Sequence, residues 1–235
     1  MRESLNETNI GQSRIGKALH RIGEIFLGVR RPRAADWDGT AEGIRAGASF
    51  LAQGSIYSYL RARTLLAGPK LFDNDDFIFA LEICKWEAFA SAAQDLIIIL
   101  EGDMREMDLG DRTELPETLM ALYEATLDLE QIPDHRTESG WGDLVARFRP
   151  RIMEAVNNPP RTADEISPGT ARIIMQHAPV EDPIRVSDLP MVQNNLAFRF
   201  VDYKRRMRRD FDYPAIAAAI ARHSAARAQH EAVRG

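Results

Sequence analysis

The chain has 235 residues, 45% hydrophobic, 28% charged and 8% aromatic, enough apolar mass for a sizeable core, which excludes disorder of the whole chain. Twelve Pro and 15 Gly are too few for a collagenous or linker-dominated protein. Thirty Lys plus Arg against 35 Asp plus Glu give a formal charge of -5, so no protein-wide basic field exists and any affinity for a polyanion must be local.

The single Cys84 excludes an intramolecular disulfide and every two-cysteine metal motif, and its apolar neighbours point to a buried thiol. Glu3 and Glu7, with no uninterrupted apolar run before a small-residue cleavage site, argue against a secretory signal. The expected location is cytoplasmic, extending to a peripheral position on the inner membrane face. A spanning helix needs roughly 20 predominantly apolar residues. The charge-free run Ala46–Leu60 contains Gln53, three Ser and two Gly between Arg45 and Arg61, and the run ending at Leu100 is interrupted by Asp95.

In chain order, Ile15, Ala18, Leu19, Ile22, Ile25, Phe26 and Val29 follow helical spacing, with Arg14, Lys17, His20, Arg21 and Glu24 on the other side. This predicts a basic amphipathic helix ending near Gly28, followed by the connector Arg30-Arg31-Pro32-Arg33. A second helix starts after Asp36 or Asp38 and runs to about Ala67, closed by Gly68-Pro69. The third runs from about Asp76 to Gly102 with apolar groups almost all round and belongs at the centre. These two should form an antiparallel hairpin.

An acidic loop carrying Asp103, Glu106, Asp108, Asp111 and Glu114 follows, expected to be solvated. Pro116 opens a helix with Leu119, Leu122, Tyr123, Thr126 and Leu129 on one face. The next carries Trp141, Leu144, Val145, Phe148, Ile152 and Val156, with Pro150 expected to kink or shorten it. Prolines at 168, 179, 183 and 190 chop the following stretch, and a helical stripe resumes from Leu189 to about Arg209. Asp212 and Pro214 then cap an Ala-rich last helix with little bulk to bury, expected to project or fray. The fold class is therefore all-α, a bundle on a central hairpin. Its divisions are an N-terminal segment 1–33, a core 34–158, a Pro-rich connector 159–187 with a short helix, and C-terminal helices 188–235 that pack on the core or project from it.

Two basic clusters are candidate contacts for anions or partners. The first is the N-terminal helix and its tail, where Arg14, Lys17, Arg21, Arg30, Arg31 and Arg33 would attract phosphates while Ile22 and Phe26 insert. Docking of the same apolar face on the bundle is the competing reading. The second is Lys204, Arg205, Arg206, Arg208 and Arg209 at the end of a helix, suited to phosphates of lipid or, with less support, nucleic acid. Its competitor is attraction to the helix C-terminus and to the acidic middle of the chain.

Small residues at Gly43, Gly47, Gly54 and Ser58 predict close helix approach. Asp95 lies on the most apolar helix and needs a partner, and hairpin register nominates Arg45. A ligand pocket around Asp95, Arg45, Arg61 and Tyr57 or Tyr59 is the functional alternative to that buried pair.

Other chemistries lack their spelling. Gly47-Ala48-Ser49 starts a nucleophile elbow that fails at Leu51. The five His show neither H-x-x-x-H nor E-x-x-H spacing, Asp73-Asn74-Asp75-Asp76 does not fit a calcium loop, and no glycine-rich phosphate loop is present. No metal or cofactor is expected. The leading expectation is a non-enzymatic helical protein that binds an anionic membrane surface or a membrane-associated protein partner. The alternatives are an assembly or nucleic-acid module using the basic C-terminal helix, and an enzyme or small-ligand binder around Asp95.

Overall fold

The computed structural model describes residues 33–64, 74–109 and 115–234, which belong to one unit beginning at Arg33. Arg14, Lys17, Arg21, Ile22, Phe26, Arg30 and Arg31 lie outside the described residues. All regular structure among those described is helical, apart from one short bridge: α1 (Trp37–Thr64), α2 (Asp75–Glu106), α3 (Leu115–Asp128), a 3-10 turn (Asp134–Arg136), α4 (Gly142–Asn157), α5 (Ala163–Ile166), α6 (Pro168–His177), α7 (Asp182–Asp210) and α8 (Tyr213–Arg234). The bridge joins Ala34 to Phe211, with the Ala34 N–H donating to the Asp210 carbonyl at 3.0 Å and the Asp212 N–H donating to the Ala34 carbonyl at 2.8 Å.

Polar side chains start the helices where the sequence offers them. Asp36 accepts from the Gly39 N–H at 2.8 Å before α1, and Asn74 from the Phe77 N–H at 3.0 Å before α2. Thr162 and Glu165 form a reciprocal capping box on the short α5.

Every residue of α2 from Glu87 to Met104 is buried, so this helix has neighbours on all sides. Its largest contacts are with α1 and α6. Extending the helix to Glu106 places Asp103 inside it and fully buried, which corrects the expectation of a solvated loop there. The helix signal was broken at Gly102, whose open side merely receives the Pro160 ring.

Two other expectations also change. α4 runs through Pro150 because Phe148 and Ile152 beside it are completely buried, and this packing outweighs one lost backbone bond. α7 starts at Asp182 and continues through Pro190, so that proline does not chop the chain as expected. Of the two placements expected for the Ala-rich α8, packing on the core or projecting from it, the helix takes the first. Ile216 and Ile220 are buried, His223 stacks on Trp37 at 3.7 Å, and Arg227 donates to the Glu117 carbonyl at 2.8 Å.

The small residues of α1 face the aromatic side of α7 and the residue after it. A Cβ at Gly43 would meet the Phe211 ring at 2.7 Å, and one at Gly47 would overlap the Tyr203 ring. Close approach is thus used for internal packing. Among the described residues, no helix is long and apolar enough to cross a membrane.

Candidate functional site

Three carboxylates of α2, Glu87, Asp95 and Asp103, stand eight residues apart. On an α-helix each step advances about 12 Å and turns about 80°, so each acid faces a different neighbour. The structure meets each with cations or hydroxyls from another element, so three of the buried polar centres form a staircase along the central helix.

Glu87 receives the Arg136 guanidinium at 2.6 and 2.8 Å and the His135 ring at 3.0 Å. Arg136 also donates to Asp143 at 2.6 Å and lies 5.7 Å from the centre of the Trp141 ring. Burial alone would raise the Glu87 carboxyl, but Arg136 and His135 hold it below its ordinary value. Burial pushes the nearby His177 down.

Asp95 is fully buried and accepts from Arg151 of α4 at 2.5 Å and from the Thr170 hydroxyl of α6 at 2.7 Å. Arg151 also donates to the Gln94 carbonyl oxygen at 2.6 Å, and the Gln94 amide donates to the Tyr123 hydroxyl at 3.0 Å. Burial pushes the Asp95 carboxyl above its ordinary value, against the opposing effects of Arg151 and Thr170.

Arg45 is not the partner of Asp95. It donates to Glu42 at 2.6 Å and to Glu130 at 2.7 Å, because hairpin register sets height along a helix but not the direction a side chain takes around it. Ile44 and Ala48 take the fully buried face and turn Arg45 outward. The tyrosines and Arg61 do not converge on Asp95 either: Tyr59 donates to Asp188 at 2.9 Å, while Tyr57 and Arg61 are exposed.

Asp103 accepts from Arg208 at 2.6 Å and from the Tyr213 hydroxyl at 2.9 Å, and Lys204 lies at 3.0 Å. Arg208 also reaches Glu106 at 2.6 Å. Arg206 pairs with Asp202 at 2.8 Å and lies over the Phe50 ring at 5.2 Å, and Arg209 pairs with Asp210 at 2.8 Å. Arg205 is exposed. Most of the C-terminal basic cluster is therefore engaged with the chain's own carboxylates, and Lys204 and Arg208 join α7 to α2. Arg33 donates to the Phe211 carbonyl at 3.2 Å, at the root of the N-terminal segment.

No family model matches the chain, and neither a curated protein nor a solved structure resembles it significantly. Among the described residues, no group of three or more His, Cys, Asp or Glu is arranged to hold a metal ion. A depression of about 460 Å³ lies between Arg105 and Pro160, where Arg105 donates to the carbonyls of Ala155, Val156 and Asn158 at the end of α4. That arginine is capping a helix, which gives the depression a structural cause.

Residue-type spacing did not reveal Arg136, Arg151, Thr170 or Tyr213, which come from distant parts of the chain. The available signal was partial: among the acids of α2, Glu87, Asp95 and Asp103 recur at equal spacing along its mostly apolar stretch.

Proposed function

We propose that this chain is a non-enzymatic helical protein that attaches to an anionic membrane surface through its basic N-terminal segment and carries the helical unit there as a body. The observation supporting this reading is the internal pairing of the other basic cluster: Lys204 and Arg208 face buried Asp103, and Arg206 and Arg209 face Asp202 and Asp210. A guanidinium already bonded to a carboxylate must give up that bond to take a phosphate. The same pairing weakens the nucleic-acid reading of this cluster.

Arg14, Lys17, Arg21, Arg30 and Arg31 remain as phosphate-attracting groups. At about 1 kcal/mol for each cation near an anionic leaflet, they amount to about 5 kcal/mol, with Ile22 and Phe26 adding apolar insertion. The non-enzymatic part of the reading is supported by Glu87, Asp95 and Asp103, both oxygens of each of which accept from other side chains of the protein.

The test is co-sedimentation of the full chain with neutral and anionic vesicles at low and physiological salt. Anionic vesicles should retain the protein, salt should weaken retention, and Arg21→Ser/Arg30→Ser/Arg31→Ser should weaken it at least about tenfold without changing the melting temperature. Equal retention by both vesicle types, or by the triple variant, refutes the reading.

A further inference from the structure

Arginines that enter the body of this protein take a carboxylate with them. Arg45, Arg105, Arg136, Arg151, Arg185 and Arg206 are partly or fully buried, and each pairs with an Asp or Glu within 3.1 Å. Arg199 of α7 does not. It sits partly buried in the seam between α7 and α1, and its hydrogen-bond partners are neutral: Nε donates to Asn195 Oδ1 at 2.9 Å and Nη2 to Ser58 Oγ at 2.7 Å. Among the described residues no carboxylate pairs with it. Asp202, three positions on, is taken by Arg206 at 2.8 Å, and Asp188 by Arg63 and Tyr59. Burial pulls the Arg199 guanidinium below its ordinary value, and no acid opposes that effect. A charge withdrawn from water without a counter-charge is costly, which sets this arginine apart.

The surroundings of the guanidinium are shaped to receive it. A Cβ on Gly54 would come within 2.7 Å of Nη1, so the group rests against the backbone of α1, where any side chain would displace it. Asn195 and Ser58 spend acceptor oxygens on Arg199, and this leaves the Asn195 amide hydrogens and the Ser58 hydroxyl hydrogen as donors. Gly54, Ser58 and Arg61 stand at helical spacing on one face of α1, with Arg61 exposed one turn past Ser58. The groups gathered here are therefore donors and cations.

We propose that Arg199, Ser58 and Asn195 form a phosphate-binding seat in the seam between α1 and α7, with Arg61 as its second cation. The planar guanidinium fork matches two phosphate oxygens at once, and the hydroxyl and amide hydrogens supply further donors. A phosphomonoester carries close to two negative charges and three acceptor oxygens, which suits two cations and several donors better than a carboxylate with one charge and two oxygens. Arg61 alone would be explained by the C-terminal end of α1, where cations are favoured. Arg199 decides the reading, because it lies in mid-helix and lacks a counter-charge.

The experiment is calorimetric titration of the full chain with inorganic phosphate at about pH 8, where the ion is mostly doubly charged, at ionic strength held constant with chloride. Saturable binding with a dissociation constant of about 1 mM is expected from a few charge-assisted hydrogen bonds. Arg199→Gln should weaken it at least about tenfold, and Arg61→Gln about threefold, since that cation is exposed and screened. Ser58→Glu places a carboxylate beside the guanidinium and should abolish phosphate binding while circular dichroism stays native, since residue 58 is exposed. Absence of saturable binding up to about 20 mM overturns the proposal, as does native affinity in either Arg199→Gln or Ser58→Glu. The Arg21→Ser/Arg30→Ser/Arg31→Ser variant should bind inorganic phosphate as the native chain does, so this seat and vesicle attachment by the N-terminal segment stand or fall separately. Vesicles bearing a phosphomonoester headgroup then distinguish the source: a drop in retention for Arg199→Gln assigns the phosphate to a lipid, and equal retention assigns it to a soluble molecule.

Discussion

α2 and α7 are the two long helices whose charges matter most, and they use them oppositely. α2 is largely apolar and buried from Glu87 to Met104, yet Glu87, Asp95 and Asp103 point out of it into three separate partner sets, while buried Glu101 pairs with Arg105 of the same helix. α7 is rich in cations and buries few of its residues, and it presents part of that charge to α2 and part to solvent. Asp103 is where the two meet. A basic run in a sequence is therefore ambiguous until the acids within reach are known: the same Lys204 and Arg208 that would suit a phosphate instead satisfy a carboxylate that could not otherwise be buried.

The strongest way to break the contrast between the two sides of α7 is to remove the side chain it buries most completely. Phe200 has no exposed surface, so Phe200→Ala should cost about 3–5 kcal/mol, read as a lower urea midpoint with the slope of the transition preserved. A loss below about 1 kcal/mol would mean that α7 is not held on its inner face as described.

The acids of α2 sharpen the comparison further, because Glu87 and Asp95 shift in opposite directions. Glu87 is held below its ordinary value, so its contribution is present above about pH 4.3 and is lost as pH falls through the lower folded value. Asp95 is pushed above its ordinary value, so its contribution is complete below about pH 3.9 and is lost as pH rises through the folded value. Glu87→Gln should cost about 2–3 kcal/mol at neutral pH, and that cost should shrink on acidification. Asp95→Asn should cost less at neutral pH than in acid. Urea unfolding of both variants at matched pH values checks this, and parallel trends for the two would contradict the assigned environments.

Much of this arrangement was legible in the residues, though unevenly. Periodicity identified the helical class and the burial of α2, since apolar groups on every side leave such a helix no other place. It also marked Asp95 as an acid needing a partner. It did not identify that partner, because Arg151 lies 56 positions along the chain, on a helix whose proline suggested an interruption. α8 was underestimated for a related reason. Alanine contributes little apolar area, but it lets helices approach closely, and the stacking of His223 on Trp37 adds a contact that no local pattern records. Local periodicity reports which side of a helix is covered; it carries no information about which distant residue covers it.

The smallest effect tests the outer side of α7. Phe198→Ser removes an apolar ring from a position 79% exposed, so at low protein concentration the unfolding free energy should stay within about 0.5 kcal/mol of the native value and the melting temperature within about 2 °C. A larger loss under those conditions would mean that the ring contributes to the body's own packing.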